Sequence, residues 1–159
     1  MEETKPIKRS KELAPLSREH HDGLLFAWKI KQGLANGTPI ETLCNYTRWF
    51  WLNHIKPHFK DEEKVLVKFL PEDNALVQQM FREHAQIRDL LLSLDKEPYP
   101  GSFQELAGLI SDHIRFEERQ LFAYAEENLS PEQLDEIYKD LPHDSNCETE
   151  WKEEFWVRK

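Results

Sequence analysis

Apolar positions recur along this chain at alternating spacings of three and four over four long segments, with polar residues between them. Such spacing lines one face of an α-helix, because 3.6 residues complete a turn. The first segment sets Leu13, Leu16, Leu24, Ala27 and Leu34 on one stripe, with Ser17 as its expected N-cap and Asn36-Gly37 as its stop. Thr38-Pro39-Ile40-Glu41 reads as a capping box with proline at the first helical position. It opens a second helix to about Leu70, whose face reads 40, 43, 47, 50/51, 54, 58, 62, 65/66 and 69. Pro57 has no N–H to give the carbonyl of Asn53, so a kink is expected beside His58.

A third helix covers roughly 73–95, with Leu76, Met80, His84, Ile87, Leu91 and Leu94 in phase, and Glu97-Pro98-Tyr99-Pro100-Gly101 breaks it. Ser102 and Glu105 form a further capping box for a fourth helix to about Asn128, striped by Phe103, Leu106, Ile110, His113, Glu117, Leu121 and Tyr124. Ser130-Pro131-Glu132-Gln133 repeats the start signal for a short fifth helix to about Lys139, stopped by Pro142. Trp151, Phe155 and Trp156 mark one edge of a short tail helix, expected to fold back on the bundle or to form a dimer contact. The pattern predicts an all-α, up-down-up-down four-helix bundle with short extra C-terminal helices. Residues 1–15 are expected to form a flexible arm, 16–129 the bundle and 130–159 a C-terminal helical extension.

Composition narrows the partners. The 159 residues suffice for one domain with a real core, and a net charge of −9 without a basic stripe argues against nucleic acid. No apolar run reaches the length of a membrane span, and the opening MEETKPIKRSKELAP carries no apolar leader core. Cys44 and Cys147 form no CxxC pattern, so no disulfide framework is expected, and the default compartment is the cytoplasm. A monomer or a homodimer is expected.

The polar residues that interrupt the apolar stripes change the picture most. His58 and Glu62, and His113 and Glu117, are HxxxE pairs, and residues four apart share one helix face. In a chain rich in His and Glu one such pair arises by chance, so the signal lies in the phase. Both pairs fall on core stripes, and the other two helices each offer an in-phase histidine, His84 and one of His20 and His21. His20 lies near the middle of the first stripe and His21 about 100° round its edge, so His20 is the preferred candidate. Four helices contributing His, His+Glu, His and His+Glu can converge, the glutamates bridging two cations and the imidazoles capping the outer positions. Imidazole with carboxylate suits iron, manganese or zinc, and the absence of thiolates argues against a structural zinc knuckle. His54, one turn before His58, is either an extra ligand or a residue of the core. Glu63 and Glu118 are expected in solvent, His143 on the surface, and Trp28, Phe50, Trp51, Phe116, Phe122 and Tyr124 in packing roles.

REHH (18–21), HFKDEEKVL (58–66), EHAQIRDLL (83–91) and HIRFEERQLF (113–122) together resemble the hemerythrin-like family, the HHE cation-binding domain. That resemblance implies a four-helix bundle holding a non-haem di-iron centre, with His20, His58, Glu62, His84, His113 and Glu117 as implied ligands. Invertebrate hemerythrins carry HxxxH on the third helix, whereas Arg88 follows His84 by four here. The chain is more similar to the bacterial, HxxxE-type members, whose implied activities are binding of O2 or NO, redox sensing and iron handling. A di-iron oxidase or peroxidase, and a bundle that uses metal only for stability, are the alternatives.

Overall fold

The computed structural model describes residues 9–141 and 151–157, and among these there is no strand. Four helical rods build the fold. The first is α1 (Ala14–Ala35). The second joins α2 (Ile40–Phe50), a π turn (Trp51–Ile55) and α3 (Lys56–Lys64). The third is α4 (Ala75–Lys96), and the fourth joins α5 (Pro100–Phe116), a second π turn (Glu117–Leu121) and α6 (Phe122–Asn128). A shorter helix, α7 (Pro131–Asp140), follows. Contacts pair low numbers with high ones between neighbouring rods: Glu19 with His58 and Phe26 with Phe50, Glu63 with His84 and Arg48 with Asp95, Ser10 with Glu126 and Ser17 with Glu118. The rods therefore alternate in direction, as an up-down-up-down bundle requires.

Local chemistry sets most of the rod ends. At the end of α1, Gly37 takes φ +73°, a left-handed conformation that glycine enters without steric cost. Its N–H bonds to the Leu34 carbonyl while the N–H of Thr38 bonds to that of Gly33, a Schellman closure. Asn74 caps α4 through Oδ1, which accepts from the N–H groups of Leu76 and Val77. Ser130 and Gln133 form the capping box expected for α7. Three expected starts differ. α1 begins at Ala14 and is not capped by Ser17, whose hydroxyl instead donates to Glu118. α2 and α5 follow Pro39 and Tyr99 with no side-chain cap, because proline in the first turn already presets the helical φ of α5 and the chain enters α2 extended. The second rod loses α-geometry after Lys64, passing through a 3-10 turn (Leu66–Phe69) before Pro71.

Pro57 has a larger effect than a simple kink. The N–H of Lys56 reaches back five residues to the carbonyl of Trp51, and Pro57 then occupies the first turn of α3, where no N–H is needed. The extra residue rotates the face, so Ile55 is buried where 54 was expected, and His58, Glu62 and Leu66 follow in phase.

The side chains form two apolar clusters with a polar layer between them. One gathers Phe26, Ile30, Leu43, Tyr46, Phe50, Leu106 and Phe155, and the other gathers Leu13, Leu16, Leu66, Met80, Phe122 and Ile137. Leu24 and Trp28, expected in the core, are 39% and 49% exposed, because Gly23, Ala27 and Ile30 are the positions of α1 that face inward. The described tail, 151–157, is extended and turn-like rather than helical. It packs on the first two rods, with the Phe155 ring 4.9 Å from that of Tyr46 and its carbonyl accepting from Asn36. No helix among the described residues is long and apolar enough to cross a membrane.

Gly33 makes the tail contact possible, since a Cβ there would lie 2.7 Å from the Phe155 ring and 3.0 Å from Leu43. Gly33→Ala is expected to destabilise the chain by about 1–3 kcal/mol through overpacking, read as a lowered denaturant midpoint. An unchanged midpoint would show that the tail does not seat against α1.

Candidate metal centre

Between the two apolar clusters, His20, His58, Glu62, His84, His113 and Glu117 are all buried, with Glu62, His84 and Glu117 at 0% exposure. The helix phase predicted from sequence brings these six together, while His21 points outward from α1. His54 is not in the cluster. It stacks on Phe50 at 4.7 Å between centroids and lies half-buried one turn away. His143 lies outside the described residues.

The imidazoles turn their Nε2 atoms inward. His20 Nε2 lies 2.8 Å from Glu117 Oε1, and His58 Nε2 lies 3.1 Å from Glu62 Oε2. His84 Nε2 lies 3.1 Å from Glu62 Oε1, and His113 Nε2 lies 3.2 Å from Glu117 Oε1. Two overlapping groups result, each able to offer four atoms within 4.8 Å of one another: His20, His58, Glu62 and Glu117, and Glu62, His84, His113 and Glu117. Both glutamates belong to both groups.

An outer set of carboxylates holds the other face of each ring. His58 Nδ1 is 2.9 Å from Glu19, His84 Nδ1 is 2.6 Å from Glu63, and His113 Nδ1 is 2.7 Å from Glu83. His20 Nδ1 faces Glu118 at 3.5 Å, an ion-pair distance. Each carboxylate comes from the rod before the histidine it serves, so the four pairs close a ring: first rod to second, second to third, third to fourth, fourth to first. A carboxylate on Nδ1 fixes the tautomer and leaves Nε2 as the inward donor atom. Glu63 and Glu118 thus face buried imidazoles instead of solvent, contrary to expectation. The signal for the ring was present in the doublets Glu19-His20, Glu62-Glu63, Glu83-His84 and Glu117-Glu118. Arg88, where a second third-helix histidine would stand, bonds Glu63 at 3.0 Å and so braces the carboxylate that orients His84.

Aromatic rings and the second π turn complete the walls. Phe59 stacks on His84 at 3.7 Å and Phe122 on His20 at 5.0 Å. At the second π turn the N–H of Phe122 reaches the carbonyl of Glu117 five residues back. The added residue lets consecutive Leu121 and Phe122 both turn inward, each at 0% exposure. No proline or glycine marks this turn, so no local residue announces it.

Burial pulls the imidazoles down, but the carboxylates around them outweigh it. His58 rises to about 9 through Glu62 and Glu19, His84 to about 11 through Glu117, Glu62 and Glu63, and His20 and His113 rise as well. Burial and mutual repulsion push Glu62 up, yet His58 and His20 hold it below the ordinary range, and His113 does the same for the buried Glu117.

Protein groups alone leave this layer incompletely satisfied. His20 Nδ1, His58 Nε2, Glu62 Oε2 and Glu117 Oε2 are buried without a hydrogen-bond partner. His58 Nε2 and Glu62 Oε2 are 3.1 Å apart but not aligned to bond to each other. His84 Nε2 and His113 Nε2 face each other at 3.1 Å, a conflict when both rings are protonated. Two nitrogens about 3 Å apart are what a shared cation produces, given metal–nitrogen bonds of about 2.1 Å at right angles. The donor set, all imidazole and carboxylate and without thiolate, fits iron, manganese or zinc.

No curated protein and no solved structure gives a significant match to the chain. The family described as the hemerythrin HHE cation binding domain matches residues 18–125, a span that takes in every member of the His/Glu cluster and of the carboxylate ring. The chain belongs to the hemerythrin HHE cation-binding domain family.

Proposed function

We propose that the buried layer holds two iron ions, with His20, His58, Glu62, His84, His113 and Glu117 as ligands, and that the pair binds O2 or NO. The observation that carries this reading is the sharing of Glu62 and Glu117 between two four-atom donor groups. Glu62 Oε1 faces His84 while Oε2 faces His58, so one carboxylate spans both groups. Glu117 does likewise, with Oε1 toward His20 and His113 and Oε2 at 3.7 Å from His84. Two imidazoles and two shared carboxylates give each ion four protein donors, fewer than the six of an octahedral ion. Bound there, iron supplies reversible redox chemistry and positions open to a diatomic ligand.

The chain's own residues have three tasks. Glu19, Glu63, Glu83 and Glu118 hold the imidazoles with Nε2 inward. Phe59 and Phe122 exclude water from one face of His84 and of His20. The two central carboxylates set the charge that draws cations into an apolar interior, where an uncompensated carboxylate costs several kcal/mol.

Elemental analysis of protein purified without an affinity metal is expected to find two iron ions per chain, and Glu62→Ala or Glu117→Ala to lose both. One ion per chain, or one retained in the variants, would contradict a shared pair. Exposure of the ferrous protein to air or NO is expected to give visible absorption that parent protein shows and the two variants lack. Glu63→Gln, which removes the charge behind His84, is expected to weaken metal affinity about 10–100-fold. Affinity equal to that of the parent would reduce the ring to packing.

The pH response should invert with metal. In metal-free protein, the imidazoles raised above 6.5 contribute stability that is full below that value and lost as pH climbs through about 9 for His58 and about 11 for His84. The glutamates, depressed below 4.5, contribute above that value and lose it as pH falls further. The melting temperature of metal-free protein is therefore expected to fall between pH 6.5 and 9. Iron needs neutral imidazoles, so the loaded protein is expected to lose metal and stability below about pH 6. Parallel profiles for the two forms would contradict the assignment.

A further inference from the structure

Arg9 is almost wholly buried, its side chain 8% exposed, and it lies against the fourth rod beside the second π turn. Its Nη1 donates to Glu126 at 2.7 Å, and the N–H of Ser10 donates to the other oxygen of that carboxylate at 2.6 Å. Its Nη2 donates to the backbone carbonyl of Glu118 and lies 3.3 Å from the Glu118 carboxylate. The guanidinium also sits over the Phe122 ring, 5.3 Å from its centroid. Arg9 stands before residue 18, where the span shared with the family begins.

The π turn accounts for the backbone contact. In an α-helix the N–H of Phe122 would serve the carbonyl of Glu118. Here that N–H serves Glu117, so the Glu118 carbonyl needs another donor, and Arg9 Nη2 supplies it. One nitrogen thereby touches both the backbone and the carboxylate of Glu118. Ser17 adds a single hydrogen bond to Glu118 Oε2 at 3.0 Å, which leaves Oε1 turned toward His20. A planar guanidinium holds Glu118 and Glu126 at once through two nitrogens in fixed directions, which a single ammonium cannot do.

His20 depends on that placement more than the other imidazoles do. His58, His84 and His113 each have Nδ1 hydrogen-bonded to a carboxylate, at 2.9, 2.6 and 2.7 Å. His20 Nδ1 has only the 3.5 Å ion-pair distance to Glu118 and makes no hydrogen bond. On its outer side the His20 ring meets that carboxylate and the stacked Phe122, and both are in contact with Arg9.

We propose that Arg9 is a positioning residue for the metal centre, pinning Glu118 and Phe122 so that the His20 imidazole is held with Nε2 toward Glu117. The role rests on His20 being a ligand of the proposed pair of ions. It gives a residue outside the four rods control over one of the two donor groups, that of His20, His58, Glu62 and Glu117.

The test loads the full chain with cobalt(II), whose unpaired electrons displace the proton resonances of ligand imidazole N–H groups. Parent protein is expected to show one such resonance for each of the four imidazoles, and His20→Gln to identify the His20 signal by its loss. In Arg9→Ala that signal is expected to shift, or to vanish by exchange with solvent, while the other three stay in place. Stepwise titration is expected to show one cobalt bound about 10–100-fold more weakly and the other within about twofold of the parent. Arg9→Lys, which keeps the charge but not the fork, is expected to reproduce most of the loss, and it serves if circular dichroism shows that Arg9→Ala misfolds. In metal-free Arg9→Ala, amide hydrogen exchange is expected to quicken at least about tenfold over 119–123 and to stay as in the parent over α4. Four unmoved resonances, four that move alike, undiminished affinity, full retention by Arg9→Lys, or unchanged exchange at the π turn would overturn the proposal. Parent protein that takes up no cobalt would sink the metal reading and this role with it, a failure told apart from the others because exchange at the π turn needs no metal.

Discussion

Two carboxylates and four imidazoles lie in a layer between two apolar clusters, with water excluded from most of it. In that setting a lone carboxylate costs several kcal/mol, so Glu62 and Glu117 are tolerable only with positive charge close by. Protonated imidazoles supply it in the metal-free protein, and cations supply it when metal is bound. Every rod gives at least one member to the layer, so the packing of all four is coupled to how its charge is balanced.

The outer carboxylates extend that coupling around the bundle. Glu19, Glu63, Glu83 and Glu118 each reach from one rod to a histidine on the next, tying neighbouring rods by polar contacts at the level of the cluster. The apolar clusters above and below fix how closely the rods approach, while the ring fixes their rotation. A rod turned by one residue would exchange His20 for His21, or Glu62 for Glu63, and break two pairs at once.

Much of this was legible in the sequence. The HxxxE pairs stood in phase with Leu66, Leu106 and Ile110, so their convergence followed from helical periodicity alone, and the choice of His20 over His21 followed from its place on the α1 stripe. The outer ring was legible in principle, because its members sit beside the inner histidines and glutamates. Exposure statistics for single glutamates pointed the other way. The π turns divide: Pro57 announced the first, although as a kink, whereas the second arises in Glu117–Leu121 from packing that no local residue signals. Capping boxes at Thr38 and Ser102 misled because proline in the first turn and an extended approach can start a helix unaided. The tail's aromatic spacing suggested a helix, but contacts with Tyr46 and Gly33 hold it as a turn.

Sharing of two cations by Glu62 and Glu117 is the claim on which the functional reading rests, and X-ray absorption at the metal edge of the iron-loaded protein tests it most directly. The account predicts a nitrogen and oxygen shell with imidazole scattering and a metal–metal vector of about 3.5–4 Å. Sulfur in the shell, or iron with no second metal in range, would contradict it.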